Sequence, residues 1–478
     1  MLRLLCFLCI LSQLSYSIFA VRCYVDGTTG NDLGNLCTVA ARPCKTINAA
    51  IDFFQCTDIR VDTDVRVTST IVINGGRTVA IHGASGAISV SKQFTDGPLF
   101  FISDTDTTVE IYFMSFMNAE WNNPNGLGGV LFQVVDNSNL YLHQSIIQYI
   151  LTTCNIRGGE AFGGAIAADG ANSLIVSQCR ISELVSVLDG ECLNGVGTFI
   201  YAKDTNVTLD NFSLDNCTLQ DNSVRSSPRK GGCVHIESAD EGERHSLFME
   251  KVYVTGENCH ISTNDIYGTF LSLEGNVDCE MVRTRMDGYT ATSNAIGSSH
   301  ELRGGNIFAQ TTSHENSLIL NNTIVTGFRT RDPFYFNVKG NEIYVNSTRL
   351  VLINETDVCT QSQNSDLSDL IYIVGDATIN CDNLNQETRG CERTRSNIIN
   401  DDEADFPSDC ILSNQVEPEV PPYQPPLFPG GGSVCSSYVL AHSQINRLVN
   451  GTALRYTIYP INVTHDLVVQ CTHFPPRK

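Results

Sequence analysis

The stretch GGAIAADGANSLIVSQCRIS, Gly163–Ser182, decides how the chain is read. A glycine pair opens it, a short apolar run follows, then a polar turn, then two further apolar runs. Such a pair is either a loop that cradles a ligand or a corner in a repeating structure. A phosphate loop needs a strand, a glycine run and then a helix. Here strand-like alternation continues past the glycines, so the corner is favoured.

Copies of the stretch strengthen that reading. GGVLFQVVDNSNLYLHQSIIQYI starts at Gly128, GVGTFIYAKDTNVTLDNFSL at Gly195 and GGCVHIESADEGERHSLFMEKVYV at Gly231. GTFLSLEGNVDCEMVRTRM starts at Gly268 and GGNIFAQTTSHENSLILNNTIVTGF at Gly304. With the last glycine of each opening as the mark (129, 164, 197, 232, 268, 305), the steps are 35, 33, 35, 36 and 37. A weaker copy, PLFFISDTDTTVEIYFMSFMN, starts at Pro98 without the glycines. Asn139, Asn172, Asn206, Asn276 and Asn316 fall 8 to 11 residues after their glycine, which predicts a stacked turn. Three short strands per unit, each apolar on one face and with no helical period between them, predict stacked coils of parallel strands. Each coil buries its inner face only against its neighbours. The glycines then supply corners where φ is positive or backbones approach closely.

These repeats resemble the right-handed parallel β-helix of the pectin-lyase-like superfamily. GGAI at Gly163–Ile166 resembles the Gly-Gly-Ala-Ile repeat of the chlamydial polymorphic outer membrane proteins. Their later Phe-x-x-Asn beat is missing in register: QSIIQYI and CRISELV occupy its place, and Phe334 to Asn337 lies elsewhere. The resemblance is at the level of the coil. The entry segment CYVDGTTGNDLGNLCTVAARPCKTINAAIDFF, Cys23–Phe54, resembles the opening of many secreted β-helix proteins. Within it Ile47, Ala50, Ile51 and Phe54 share one helical face, which predicts a helix capping the first coil. The resemblance spans roughly Cys23 to Ile353. It implies an all-β fold, a single-stranded right-handed parallel β-helix with an N-terminal helical cap; beyond it the cysteines predict a disulfide-rich C-terminal region.

The expected segments are a signal peptide at 1–20, a cap at 21–60 and coils at 61–358. A Cys-rich cap at 359–415, a Pro/Gly-rich linker at 416–432 and a small disulfide-tied segment at 433–478 follow. MLRLLCFLCILSQLSYSIFA has the basic start, short apolar core and small residues of a cleaved secretory signal. No later stretch has the length and apolarity of a bilayer span, so no membrane insertion is expected. The whole chain carries a net charge of −22; without Arg3 it is 29 − 52 = −23, which repels nucleic acid.

Of 19 cysteines, Cys6 and Cys9 leave with the signal, and most of the remaining 17 are expected to pair in an oxidising compartment. Cys23, Cys37, Cys44 and Cys56 are expected to pair among themselves. Cys154 and Cys192 lie 25 and 28 residues after their glycines, at nearly the same place in successive turns, and are a candidate disulfide. Cys435 and Cys471 are candidates for stapling the tail. Paired CxxC motifs are absent, so structural zinc is not expected. Asn206, Asn211, Asn216, Asn321, Asn346, Asn354, Asn450 and Asn462 head glycosylation sequons.

Enzymes and non-catalytic adhesins share the resembled fold, so function rests on the site. The polygalacturonase signatures are absent as a set, and the internal pair Asp401-Asp402 lies beyond the coils. RTRDPFYF at Arg329 has its proline at the wrong offset for the pectate-lyase signature, and a mannuronan-epimerase Asp-Pro-His is absent. Asp104 with Asp106, and Glu237 with Asp240, are carboxylate pairs in polar turns, where solvation is the ordinary role. His235 shares a strand face with Glu237 and is either acid–base machinery or an outward pair. No catalytic, metal or cofactor residue is assigned. The expected function is binding of a polysaccharide or cell-surface glycoprotein by a coil face of a secreted glycoprotein. The alternatives are a polysaccharide lyase or hydrolase and a structural coat component. Aromatic or Asn/Thr ladders favour binding; converging carboxylate, Lys and Arg side chains favour catalysis.

Overall fold

The computed structural model describes residues 21–380 apart from short internal segments, the longest being 360–368, together with 397–400, 454–458 and 469–473. The expected signal at 1–20, Cys192, Asp240, Asp401-Asp402, the linker at 416–432, Cys435, Asn450 and Asn462 lie outside the described residues.

The chain is a parallel β-solenoid of about eight turns. One turn runs from Glu160–Phe162 round Gly163 to Ile166–Asp169, then past Gly170 to Ser173–Ser177, and round Gln178 into Arg180–Gly190. Each strand pairs in parallel with its equivalent one turn on: Ile166 with Ile200, Leu174 with Val207, and Ile181 with Leu214. The stack forms a 23-stranded sheet, an 11-stranded sheet, and sheets of three and four strands built from the segments before the glycines.

Alternation in sequence becomes alternation in space, as in Thr108–Tyr112, where only Val109 and Ile111 are buried. The inward residues then stack into continuous rows. Ile81, Ile111, Leu142, Val176, Leu209, Met249, Met281, Leu320 and Leu352 form one, all within 1% of full burial. Phe100, Phe132, Ile166, Ile200, Val234, Leu271, Ile307 and Ile343 form its counterpart on the 11-stranded sheet.

Two kinds of corner close the turn. Gly97, Gly129, Gly163, Gly197, Gly231, Gly268, Gly304 and Gly340 stack in register, with φ between 53° and 81°. A Cβ at Gly197 would sit 2.1 Å from the Ile200 carbonyl oxygen, so the corner requires glycine. The aligned glycine is the one with positive φ, which is the last of the pair at Gly129 but the first at Gly163, Gly231 and Gly304. The repeat marks therefore move from 164, 232 and 305 to 163, 231 and 304. The copy at Pro98 does have its corner glycine, Gly97, and a further unit opens at Gly340. The second corner uses non-glycine residues in the left-handed region: Phe113, Gln144, Gln178, Asn211, Lys251, Arg283, Asn322 and Asn354, with φ from 47° to 59°.

The asparagines do not form one ladder. Asn172 donates to Asn139 (2.9 Å) and Asn316 to Asn276 (2.9 Å), but Asn206 is in register with Ser173. Turns of unequal length break the row into local pairs.

Near the N-terminus, a six-residue helix, Ile47–Asp52, begins at Thr46, whose hydroxyl accepts the Ala49 N–H (3.1 Å). Ile47, Ala49, Ala50 and Ile51 are buried; Phe54 lies past the helix end and packs half-buried on the core. Disulfides join Cys23 to Cys56 and Cys37 to Cys44. Cys154 is also disulfide-bonded; Cys192, its expected partner, lies outside the described residues. Arg22–Val25 pairs with Asp58–Val61, which pairs with Ala80–Gly83, so the entry segment supplies the first rung of the large sheet. Parallel pairing continues past residue 358, through Asp369–Val374 to Asn397–Asn400. In the tail, Leu454–Ile458 pairs antiparallel with Val469–His473, Tyr456 opposite Cys471.

Candidate binding face

On the 11-stranded sheet the residues between the inward rows point away from the core. Four residues after each aligned glycine stand Tyr201, His235, Ser272, Phe308 and Tyr344, and in register beyond them Tyr372. All are nearly buried, because the short strands before the glycines fold against them. Phe162 stacks on Tyr201 (5.0 Å) and Tyr267 on Phe308 (5.1 Å); Phe308, Tyr344 and Tyr372 continue the stack at 5.4 and 5.7 Å. The Arg303 guanidinium lies 4.9 and 5.5 Å from the Tyr267 and Tyr344 ring centres. This spine is structural: its rings already have partners.

Six residues after each aligned glycine runs a second outward row: Asp169, Lys203, Glu237, Glu274, Gln310 and Asn346. These side chains are half-buried, with Gln310 exposed. Tyr201 donates its hydroxyl to Glu237 Oε1 (2.7 Å), and His235 Nε2 lies 3.4 Å from Glu237 Oε2. Lys230 donates to Glu274 Oε2 (2.6 Å), and the Ser272 hydroxyl to Glu274 Oε1 (3.5 Å).

Burial tends to raise the Glu237 carboxyl, but hydrogen bonds from His235 and Tyr201, and then the Lys203 charge, hold it at about 2. Asp169 is raised by burial, and Lys203 only partly offsets this. The row therefore holds one carboxylate pinned in its charged form and another inclined to keep its proton. His235 is 2% exposed, and its Nδ1 has no hydrogen-bond partner among the described residues.

A smaller outward ladder stands on the 23-stranded sheet. His82, Tyr112 and His143 stack at 4.8 and 4.9 Å, all half-exposed. Tyr112 donates to Glu110 (2.9 Å); burial and then that carboxylate raise it to about 12.

The structure separates the residues singled out in the sequence. His235 and Glu237 are together in the row. Asp104 and Asp106 are exposed at positive-φ turn positions, where Asp104 accepts the Gly75 N–H (2.9 Å), the solvated-turn role. Asn206, Asn211, Asn216, Asn321 and Asn354 all belong to strands or corners of the 23-stranded sheet. Of the described sequons, Asn346 alone stands in the polar row. Asp169, Tyr201, Lys203, Lys230, Ser272 and Glu274 were not anticipated. Their signal is a fixed offset from the glycine, visible once the positive-φ glycine is the mark; Lys230, from the preceding strand, is the exception. Comparisons with protein-family models, curated proteins and solved structures find no match to this chain.

Proposed function

We propose that this is a secreted, glycosylated solenoid that binds a polysaccharide or cell-surface glycoprotein along the polar row of its 11-stranded sheet, without catalysing a reaction. The observation that carries this is the row itself. Asp169, Lys203, Glu237, Glu274 and Gln310 repeat once per turn, at about 4.8 Å, on a face whose aromatic spine keeps the row in place. A periodic display of hydroxyl-binding side chains suits a periodic ligand. Glu237 and Glu274 are already engaged by Tyr201, His235 and Lys230, which suits orientation more than proton transfer. The right hand of the coil belongs to this reading, since parallel crossovers take that hand in about 98% of cases. So do likeness to pectin-lyase-like proteins and a capping role for the Ile47–Asp52 helix, whose buried face lies on the first turns.

A second reading, an inverting polysaccharide hydrolase, draws on Asp169 and Glu237. Their protonation preferences are pushed apart, as an acid and a base require. They lie two turns apart, roughly 10 Å along the stack, close to the spacing of inverting carboxylates. The test is to incubate the secreted protein with neutral and acidic polysaccharides and measure both retention and new chain ends. Retention without new ends is expected. New ends that vanish in Glu237→Gln would replace binding with hydrolysis.

A further inference from the structure

A polar pocket of about 380 Å³ opens on the first turn of the solenoid, lined by Asp52, Gln55, Val72, Asn74, Gly75 and Arg77. Both of its walls are fixed. On one side Asn48 of the short helix donates to the Thr70 carbonyl (3.2 Å), which holds the helix beside the strand Ile71–Ile73. On the other, the Gly75 N–H donates to Asp104 Oδ2 (2.9 Å) and the Gly76 N–H to Thr107 Oγ1 (3.0 Å). The next turn thus holds the bend at 74–76.

The lining is open to solvent: Asp52, Gln55 and Asn74 are exposed, and Val72 is 40% exposed. Arg77 Nη1 donates to Gln55 Oε1 (3.0 Å), whereas Arg77 Nε is buried and has no hydrogen-bond partner among the described residues. A guanidinium only donates, a carboxylate only accepts, and a carboxamide does both. Arg77, Asp52 and Asn74 therefore bring complementary demands to one small space, and Val72 adds an apolar patch.

We propose that this pocket binds one neutral hexose residue. Of two adjacent hydroxyls on the sugar, one accepts from Arg77 Nε–H and the other donates to the Asp52 carboxylate, while the C–H face of the ring lies on Val72. A concave site of this volume with a few convergent polar groups is the ordinary form of a small-ligand site. The single guanidinium already has Asp52 and Asp104 nearby, so a uronate would add a third carboxylate against one cation. Register places the pocket on the line of the candidate binding face. Val72 aligns, through Phe101, Gln133 and Ala167, with Tyr201 of the spine. Asn74 follows Ile73 as Asp169 of the polar row follows Ala168, three turns or roughly 14 Å further on. A polysaccharide lying along the row would extend toward the pocket, so the proposal rests on the reading of the chain as a glycan binder.

The test is calorimetric titration of the full secreted chain with glucose, galactose, mannose and glucuronate. At least one of the neutral hexoses is expected to bind, and more tightly than glucuronate. Arg77→Met and Asp52→Ala should each weaken that binding by about tenfold or more, the loss of one charged hydrogen bond. Asp52→Ala removes an exposed carboxylate from a helix C-terminus, where negative charge is disfavoured, so the fold is kept. The row variant Lys203→Ala/Gln310→Ala should bind the hexose as wild type does. Unchanged hexose affinity in Arg77→Met and Asp52→Ala, or a preference for glucuronate, would overturn the proposal. A chain that is retained on a polysaccharide but binds none of the hexoses would overturn the pocket and leave the row standing. A chain that does neither would overturn both.

Discussion

Glu342 occupies an inward position of the core row, where the preceding turns place Asn306 and then Phe270, and it is fully buried. Its Oε2 accepts from Asn306, while Oε1 and the Asn306 Oδ1 have no hydrogen-bond partner among the described residues. Burial raises its carboxyl well above the ordinary range, so the folded chain holds it protonated. Its contribution to stability is fully present below the unfolded value of about 4.3, and is lost as pH rises through the folded value. Glu342→Gln removes that loss. We expect its unfolding free energy at neutral pH, from denaturant melts, to exceed wild type by on the order of 1–3 kcal/mol, with the difference shrinking toward pH 4. A variant less stable than wild type at neutral pH would show the carboxylate to be charged and satisfied.

Two glycines with nearly equal φ test the corner at the same scale. Gly197 (φ 64°) has the Ile200 carbonyl where a Cβ would go, and Gly170 (φ 62°) has nothing within 4 Å. Gly170→Ala should cost about 1 kcal/mol, the left-handed penalty alone. Gly197→Ala adds a backbone clash, so thermal unfolding should show a markedly larger loss. Equal losses would mean that the corner yields.

Among the elements, the short strands before the glycines depend on the aromatic spine. His300–Arg303 and Phe336–Lys339 reach the rest of the molecule partly through Arg303 and Lys339 over the Tyr267, Tyr344 and Tyr372 rings. Glu301 ties those cations together (2.9 and 3.4 Å). Tyr344→Ala should cost about 3–5 kcal/mol locally and speed amide exchange in these two strands more than in the core strand Leu271–Gly275. Uniform acceleration would make the spine part of one cooperative unit. The strands were legible wherever apolar and polar residues alternate, as in Ser173–Ser177. The spine was not, because Tyr201 and Phe308 break the half-polar pattern with large apolar residues that face outward. Only the strands folded against them explain their burial. The short helix at Ile47 was legible from its spacing. The left-handed corners at Gln178 and Lys251 were not, since those residue types carry no positive-φ signal.

For the whole molecule, the repeat was enough to predict stacked parallel coils, because a period of about 35 residues with three short strands has few other solutions. Anchoring it on the wrong glycine of three pairs hid the polar row, which needs a register accurate to one residue. His235 and Glu237 are legible as a pair on one strand face, whereas the equivalent positions in the turns above and below them are not, without the exact register. The central claim is that this row binds a periodic ligand. The most direct measurement is affinity for whichever polysaccharide retains the wild-type chain, compared with the Lys203→Ala/Gln310→Ala variant and with His82→Ala/His143→Ala on the other sheet. The account predicts at least a tenfold loss, about 1.4 kcal/mol, for the first variant and wild-type affinity for the second. Unchanged binding by the first, or loss confined to the second, would contradict it and move the site to the His82–Tyr112–His143 ladder.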